Sequence, residues 1–492
     1  MTILLLLLLV KVAAVVARGP SPLIWDAKYY WELGQSVAGG DLLLTGHEVA
    51  YRTPGYPWML GVINAISAEP LWMLACVQGI LWVATVGITA ELARLISGDR
   101  RTALLVMVVS TGMVSSVTYT TTVLSETLFT FLVMLHLYTV ARFVRQPSPP
   151  TGGLVGFTLA MAMLTRPVAM LLWIADVIFL LARFFWRHRS GSQDSSSHDA
   201  GNREDVTHSK SWPSPDRRQA IVGCAIAALV TVVCVMPWLL RNQAIFGKLM
   251  MTEFVGRNIW IVTFQDGSGA ELEFPSTDAG SALRHALGEE RWDDLQSDQR
   301  WRETWTVSKS LTAAEIDDAQ GDRLMKDVAF DAIKQSPSPF AKKTVRRIFN
   351  FWRTRATELP ESFVEVAASS KLSPEEISQT QYSGQSIWGV RVALIDTALR
   401  YRLSNSLLAN TFLMLLTGLA TMLMLYSPAT RASGLWLLLV LAYFTFVTAV
   451  LEIPGYRYRM IVEPVALAVI AIAATSYFPA RHQKQSQPVP QP

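Results

Sequence analysis

The chain has 492 residues, 51% of them hydrophobic and only 17% charged, with a mean hydropathy of +0.29. That is too apolar for a soluble protein of this length, and the apolar residues fall into long runs, so the chain reads as an integral membrane protein. The net charge of +4 resides mostly in short loops and leaves no nucleic-acid footprint, while the three cysteines, all in apolar runs, imply neither a disulfide scaffold nor a zinc site.

The first apolar run, 2–17, reads as a span. A cleaved signal peptide is the other reading, since Ala17 closes a stretch of small residues, although no basic segment precedes it. Residues 27–39 place Tyr29, Tyr30, Leu33 and Val37 at helical spacing, which predicts a short helix lying in the membrane interface. A turn, Thr53-Pro54-Gly55-Tyr56-Pro57, follows, and then an apolar stretch to residue 66. Further spans are predicted at 71–96, 102–121, 123–141, 152–165, 167–186, 219–240, 406–426, 434–451 and 459–478, about ten in all. The 152–186 stretch also reads as a bent helix with a re-entrant piece, broken at Thr165-Arg166-Pro167 because proline cannot continue the hydrogen-bond ladder. The segment 187–218 has the composition of a disordered linker, and the tail 479–492 has the same composition from 482 onward. Phe340–Arg353, FAKKTVRRIFNFWR, reads equally as a basic interfacial helix or as a helix packed on its own domain.

Basic residues set the orientation. Arg100 and Arg101, Arg142 and Arg145, the group from Arg183 to Arg218, Arg431, and Arg481 with Lys484 fall in alternate loops, which makes that side cytoplasmic. The expected architecture is an all-α polytopic inner-membrane protein with interfacial helices. A transmembrane core covers 1–240 and includes an outward loop at 18–70. An extracytoplasmic domain follows at 241–405, and C-terminal spans at 406–478.

The polar motifs gather on the outward side. Arg457 and Arg459, in the YRYR loop Tyr456–Arg459, depart from the rule that short outward loops avoid cations, and an anionic headgroup would explain them. Arg241 and Asn242 lie at the outward end of the seventh span, so arginines from different segments could clamp a phosphate; headgroup anchoring is the simpler role. Asp26 suits a general base or an N-cap of the interfacial helix, and the roles are compatible. Glu126 suits a first-turn residue behind a Ser125 cap, or a carboxylate that recognises sugar hydroxyls. Arg166 faces the bundle interior or snorkels to the interface. Lys28, Arg52 and His47 are accessories, while Glu91 and Asp176 read as structural. No phosphate-binding loop, nucleophile elbow or metallopeptidase motif is present.

The motifs in order are an early outward Asp26, Arg52–Pro57 (RTPGYP), Leu124–Phe129 (LSETLF), Leu164–Pro167 (LTRP), Pro237–Gly247 (PWLLRNQAIFG) and Glu452–Arg459 (EIPGYRYR). Together they resemble the bacterial GT-C membrane glycosyltransferases of the family 39 type, whose relatives include lipid A aminoarabinose transferases and protein O-mannosyltransferases. The resemblance covers about 20–250 and 435–478. It implies a sugar donor carried on polyprenyl phosphate, transferred outside the cytoplasm with inversion to a lipid, glycan or protein acceptor, with membrane lipids as the other partners. It implies no nucleotide cofactor, and nothing read from the sequence requires a divalent ion. By the same resemblance Asp26 is the base, Glu126 binds sugar or acceptor, and Arg457, Arg459 and Arg241 hold the phosphate. Arg52, Tyr56, Arg166, Asn242 and Tyr456 join them as substrate-binding candidates. The chain departs from mannosyltransferases in carrying Asp26-Ala27 where they have an Asp-Glu pair. Two other classes stand against this reading. A lipid or solute transporter predicts charges near the bilayer midplane and repeated halves, and a membrane-anchored scaffold needs no arginines in the YRYR loop.

Overall fold

The computed structural model describes residues 2–21, 23, 26–110, 119–191, 216–265, 272–353 and 407–477. The tail 479–492, most of the 187–218 linker and the 354–405 part of the 241–405 segment lie outside the described residues.

Every regular element among the described residues is helical. In chain order, α1 is Thr2–Arg18, α2 Asp26–Ala38, α3 Gly55–Ile66, α4 Pro70–Ser97, α5 Arg100–Ser110, α6 Glu126–Arg145, α7 Pro149–Thr165, α8 Leu172–Gly191 and α9 Arg217–Phe246. Then come α10 Val255–Trp260, α11 Asp278–Leu287, α12 Glu289–Gln296, α13 Thr304–Ala313, α14 Asp318–Gln335, α15 Pro337–Arg353, α16 Leu407–Tyr426 and α17 Arg431–Leu451. A single turn at Tyr456–Arg459 and α18 Glu463–Tyr477 complete the set. Among the described residues, four helices are long and apolar enough to cross a bilayer: α4, α6, α9 and α17. Shorter apolar helices lie at Thr2–Ala13, Phe412–Tyr426 and Glu463–Tyr477. On α9 the side chains of Ile221, Leu229 and Val233 stay bare, as expected of a helix solvated by lipid.

Local chemistry sets the ends that matter for the site. Helix α7 opens on a capping box in which Ser148 and Thr151 satisfy each other's backbone N–H. It stops at Arg166 because Pro167 follows, and a 3-10 turn, Pro167–Leu171, leads into α8. Helix α9 runs six residues past the expected span end at 240, through Pro237, so Arg241 and Asn242 sit inside the helix, just before its last turn. Ser125 has helical backbone angles and makes no capping bond, so it is not the cap the sequence suggested for α6.

Helices α7 and α9 cross with backbones nearly touching. A Cβ on Gly152 would lie 2.2 Å from the Gly223 carbonyl oxygen, and one on Gly156 would lie 2.2 Å from that of Ala227. Gly152-xxx-Gly156 against Gly223-xxx-Ala227 is the small-residue packing that lets apolar helices associate where lipid supplies no hydrophobic drive. A core of α4, α6, α17 and α18 gathers Phe129, Leu137, Trp436, Val440 and Val465. Within it, His136 Nε2 meets Asp176 Oδ2 at 2.9 Å, and Trp436 donates to Asp176 Oδ1 at 2.9 Å. A second cluster, built by α10 to α14, buries Trp260, Phe264, Leu283, Trp292, Trp301 and Val328.

Helix α15 buries Lys343, Arg347, Phe351 and Trp352 and exposes Val345 and Phe349. Arg347 donates to the carbonyl of Ala449 at 2.6 Å, so the helix is packed on its own protein through part of its basic face.

Candidate active site

Helix α2 presents Asp26 in its first turn, and close packing on α3 fixes it: a Cβ on Gly61 would meet Val37 Cγ1 at 2.3 Å. Arg52, just before α3, places Nη2 2.5 Å from Asp26 Oδ1. Its Nη1 donates to the Tyr30 hydroxyl at 3.2 Å, and its guanidinium lies 4.6 Å from the Tyr30 ring centre. Arg457, from the turn before α18, brings Nη1 to 3.2 Å from Asp26 Oδ2. The carboxylate is thus bridged by two guanidinium groups from segments far apart in the chain. Burial alone would raise its pKa, but Arg52 and Arg457 outweigh that and hold the carboxyl below the usual carboxylate range.

Arg457 also donates from Nη2 to the Tyr458 hydroxyl at 2.6 Å, and that hydroxyl donates to Glu452 Oε2 at 2.9 Å. Burial pushes the Glu452 carboxyl up, against the lowering pull of Arg457 and of the Tyr458 hydrogen bond. Two carboxyl groups near one arginine are therefore driven in opposite directions by their surroundings.

A second pair lies alongside. Glu126 Oε1 meets Arg166 Nη1 at 2.8 Å, with the Glu126 side chain 3% and that of Arg166 20% exposed. Glu126 Oε2 is buried and has no hydrogen-bond partner among the described residues. The Arg166 guanidinium lies 5.7 Å from the Tyr458 ring and 5.8 Å from that of Phe129, which joins this pair to the Arg457 segment. Tyr56, fully buried, packs edge-on to Tyr30 at 5.1 Å and donates to Gln78 Oε1 at 3.4 Å, supporting the centre from within.

The structure brings together Asp26, Arg52 and Arg457, with Glu126, Arg166 and Tyr56 adjoining, and leaves three other candidates elsewhere. Arg241 is buried and donates to the carbonyls of Leu44 (2.7 Å) and His47, and to Asn242 Oδ1 at 2.7 Å. Asn242 donates to the carbonyls of Met250 and Met251. This pair clasps the first loop instead of meeting Arg457. Arg459 is buried against Glu463 Oε1 at 3.0 Å and donates to the carbonyl of Trp352 at 2.8 Å. The Tyr456 side chain lies outside the described residues. Of the accessories, Lys28 is exposed and His47 Nε2 pairs with Ser36 Oγ at 2.7 Å. Sequence reasoning gave no role at the centre to Tyr30, Glu452 or Tyr458. Tyr30 follows Asp26 by four residues on one helix face, and the other two lie inside the EIPGYRYR motif, so the signals were present. Among the described residues no group of three or more His, Cys, Asp or Glu side chains is placed to hold a metal ion.

Comparison with known proteins gives one family match. Residues 51–193 match the family model described as dolichyl-phosphate-mannose-protein mannosyltransferase. No curated protein matches the chain. Among solved structures, the chain is similar to ArnT from Cupriavidus metallidurans bound to undecaprenyl phosphate. The TM-score is 0.36 and the identity 11%, over 97% of this chain and 76% of that one. Arg52, Tyr56, Glu126 and Arg166 all fall within the matched stretch, over which the chain resembles the membrane glycosyltransferases of the family 39 type, as its motifs indicate.

Proposed function

We propose that the protein is a membrane glycosyltransferase that moves a sugar from a polyprenyl-phosphate carrier to a hydroxyl acceptor on the extracytoplasmic face, with inversion. In this reading the chain crosses the inner membrane about ten times with both ends inside, and 18–70 and 241–405 face outward. The observation that carries it is the Asp26 carboxylate, bridged by Arg52 at 2.5 Å and Arg457 at 3.2 Å. A phosphate bearing the sugar has the charge and the planar oxygen edge that two guanidinium groups recognise. As it binds it competes with Asp26 for them. A carboxylate that gives up a cationic partner becomes more basic, so donor binding readies the base.

Asp26 then takes the proton of the acceptor hydroxyl while the hydroxyl oxygen bonds to the anomeric carbon from the face opposite the phosphate. The bond from that carbon to the phosphate oxygen breaks, and the electron pair leaves with the polyprenyl phosphate. Charge developing on the leaving phosphate is stabilised by the same arginines. The Glu126–Arg166 pair, with its unpartnered Oε2, offers an acceptor oxygen to a sugar hydroxyl. Nothing in this sequence of steps calls for a nucleotide.

The test uses the full chain in nanodiscs with a labelled polyprenyl-phosphate sugar and an envelope extract as acceptor source. Transfer is expected to fall about 10²–10⁴-fold in Asp26→Asn. It should persist in Glu91→Gln, whose carboxylate pairs with the neighbouring Arg94. Undiminished transfer by Asp26→Asn would remove the base.

A further inference from the structure

The second helical cluster keeps its tryptophans inside, with one exception. Trp260, Trp292 and Trp301 are buried, whereas Trp305, in the first turn of α13, is 42% exposed. It stands over an aromatic group that leads back to the Asp26 centre. The Tyr51 ring is stacked between Tyr29 (6.0 Å, 23°) and Phe254 (5.2 Å, 26°). Trp305 meets Tyr51 edge-on at 5.8 Å and lies 6.2 Å from Phe254. Arg52, the residue that holds Asp26, has its guanidinium 5.1 Å from the Tyr51 ring, and Arg257 has its own 5.4 Å from it. The Tyr29 hydroxyl is buried and has no hydrogen-bond partner among the described residues. The group is held across two parts of the chain, because Asp318 accepts from the Ala50 N–H at 2.7 Å and pairs with Arg257.

We infer that Tyr29, Tyr51, Phe254 and Trp305 form the acceptor subsite and that it takes a sugar ring, which makes the acceptor a carbohydrate and not a peptide. The inference rests on reading Asp26 as the base of a glycosyl transfer. A pyranose has an apolar face of C–H bonds and a rim of hydroxyls. The exposed Trp305 ring suits the first; the unsatisfied Tyr29 phenol and the partly exposed Arg52 guanidinium suit the second. A lipid tail would find no use for those polar groups. Tyr51 borders both Trp305 and the Arg52 guanidinium, so a ring resting on the exposed Trp305 lies on the approach to Asp26.

The experiment measures binding apart from transfer, using saturation-transfer NMR on the full chain in nanodiscs. The probes are chitobiose in solution, a short-chain alkyl glycoside anchored in the bilayer, and a Ser/Thr-rich peptide. At least one glycoside should bind the wild type and Asp26→Asn alike. Its affinity should fall about tenfold or more in Trp305→Leu and be largely kept in Trp305→Phe. Phe254→Leu should weaken it as well. Preference for chitobiose points to a free glycan, and preference for the anchored glycoside to a glycolipid. Glycoside binding that is equal in Trp305→Leu and wild type, at matched thermal stability, overturns the inference, as does binding of the peptide alone. If Asp26→Asn still transfers sugar while binding depends on Trp305, the base fails and the subsite stands. The converse result sinks the subsite and leaves the base.

Discussion

Separating the contribution of the Glu126–Arg166 pair to folding from its contribution to chemistry is possible because the two predict different double variants. The side chains are 3% and 20% exposed and meet at 2.8 Å, and Glu126 Oε2 has no partner among the described residues. Arg166→Met leaves a carboxylate buried with both oxygens unpaired, which costs about 3–5 kcal/mol when one partner of a buried pair is removed. The partial exposure of Arg166 places the expected loss toward the lower end. Removing both charges together, in Glu126→Leu/Arg166→Met, is expected to leave stability unchanged or raise it by about 1–4 kcal/mol, since neither ion then has to be desolvated. A pair retained for folding alone would be dispensable in that background. A pair retained for sugar recognition would not, and transfer should drop about a hundredfold or more in a folded protein. The assays are thermal unfolding in nanodiscs and transfer from a labelled donor, run on both single variants and the double. An Arg166→Met protein as stable as the wild type would refute the energetic argument. A double variant with full transfer would refute the functional one.

Two further predictions concern neighbouring residues. The Asp26 carboxyl is held low by Arg52 and Arg457 against its burial, and it must be ionised to accept a proton, so the rate should fall as pH drops through its pKa. Arg457→Gln removes one lowering influence, and the acid limb of kcat/KM should move to higher pH, while an unmoved limb would show that Asp26 does not set it. Arg241→Met abandons the carbonyls of Leu44 and His47 and should destabilise the protein by about 1–3 kcal/mol per buried acceptor left bare. Donor affinity per folded molecule should stay unchanged, and a selective loss of donor binding would restore Arg241 to the phosphate site.

Helices were legible in the sequence wherever the backbone must satisfy itself in an apolar medium, as in Pro70–Ser97 or Arg431–Leu451, because long apolar runs leave little alternative. The break at Arg166 was legible too, since proline dictates it locally. The partners of the arginines were not. Arg241 and Arg457 look alike in sequence, each in a polar motif that borders an apolar run. Yet one reaches back 197 residues to the carbonyl of Leu44 and the other 431 residues to Asp26. Side-chain direction at a helix end depends on which loop folds over it, and that is a long-range fact. Glu126 and Arg166 were each singled out, but their pairing depends on how α6 packs against the end of α7. Ser125 shows the opposite error: a favoured capping residue at the right position whose backbone is already helical.

The 431-residue separation between Asp26 and Arg457 bears on biogenesis. During synthesis the first loop emerges and docks long before the YRYR turn exists, so a nascent chain has the carboxylate and Arg52 but lacks the second cation. Until the closing helices insert, a donor arriving at the membrane surface would meet only half of its anion clamp. If the protein is the proposed transferase, stalled translation products should be inert toward the carrier lipid.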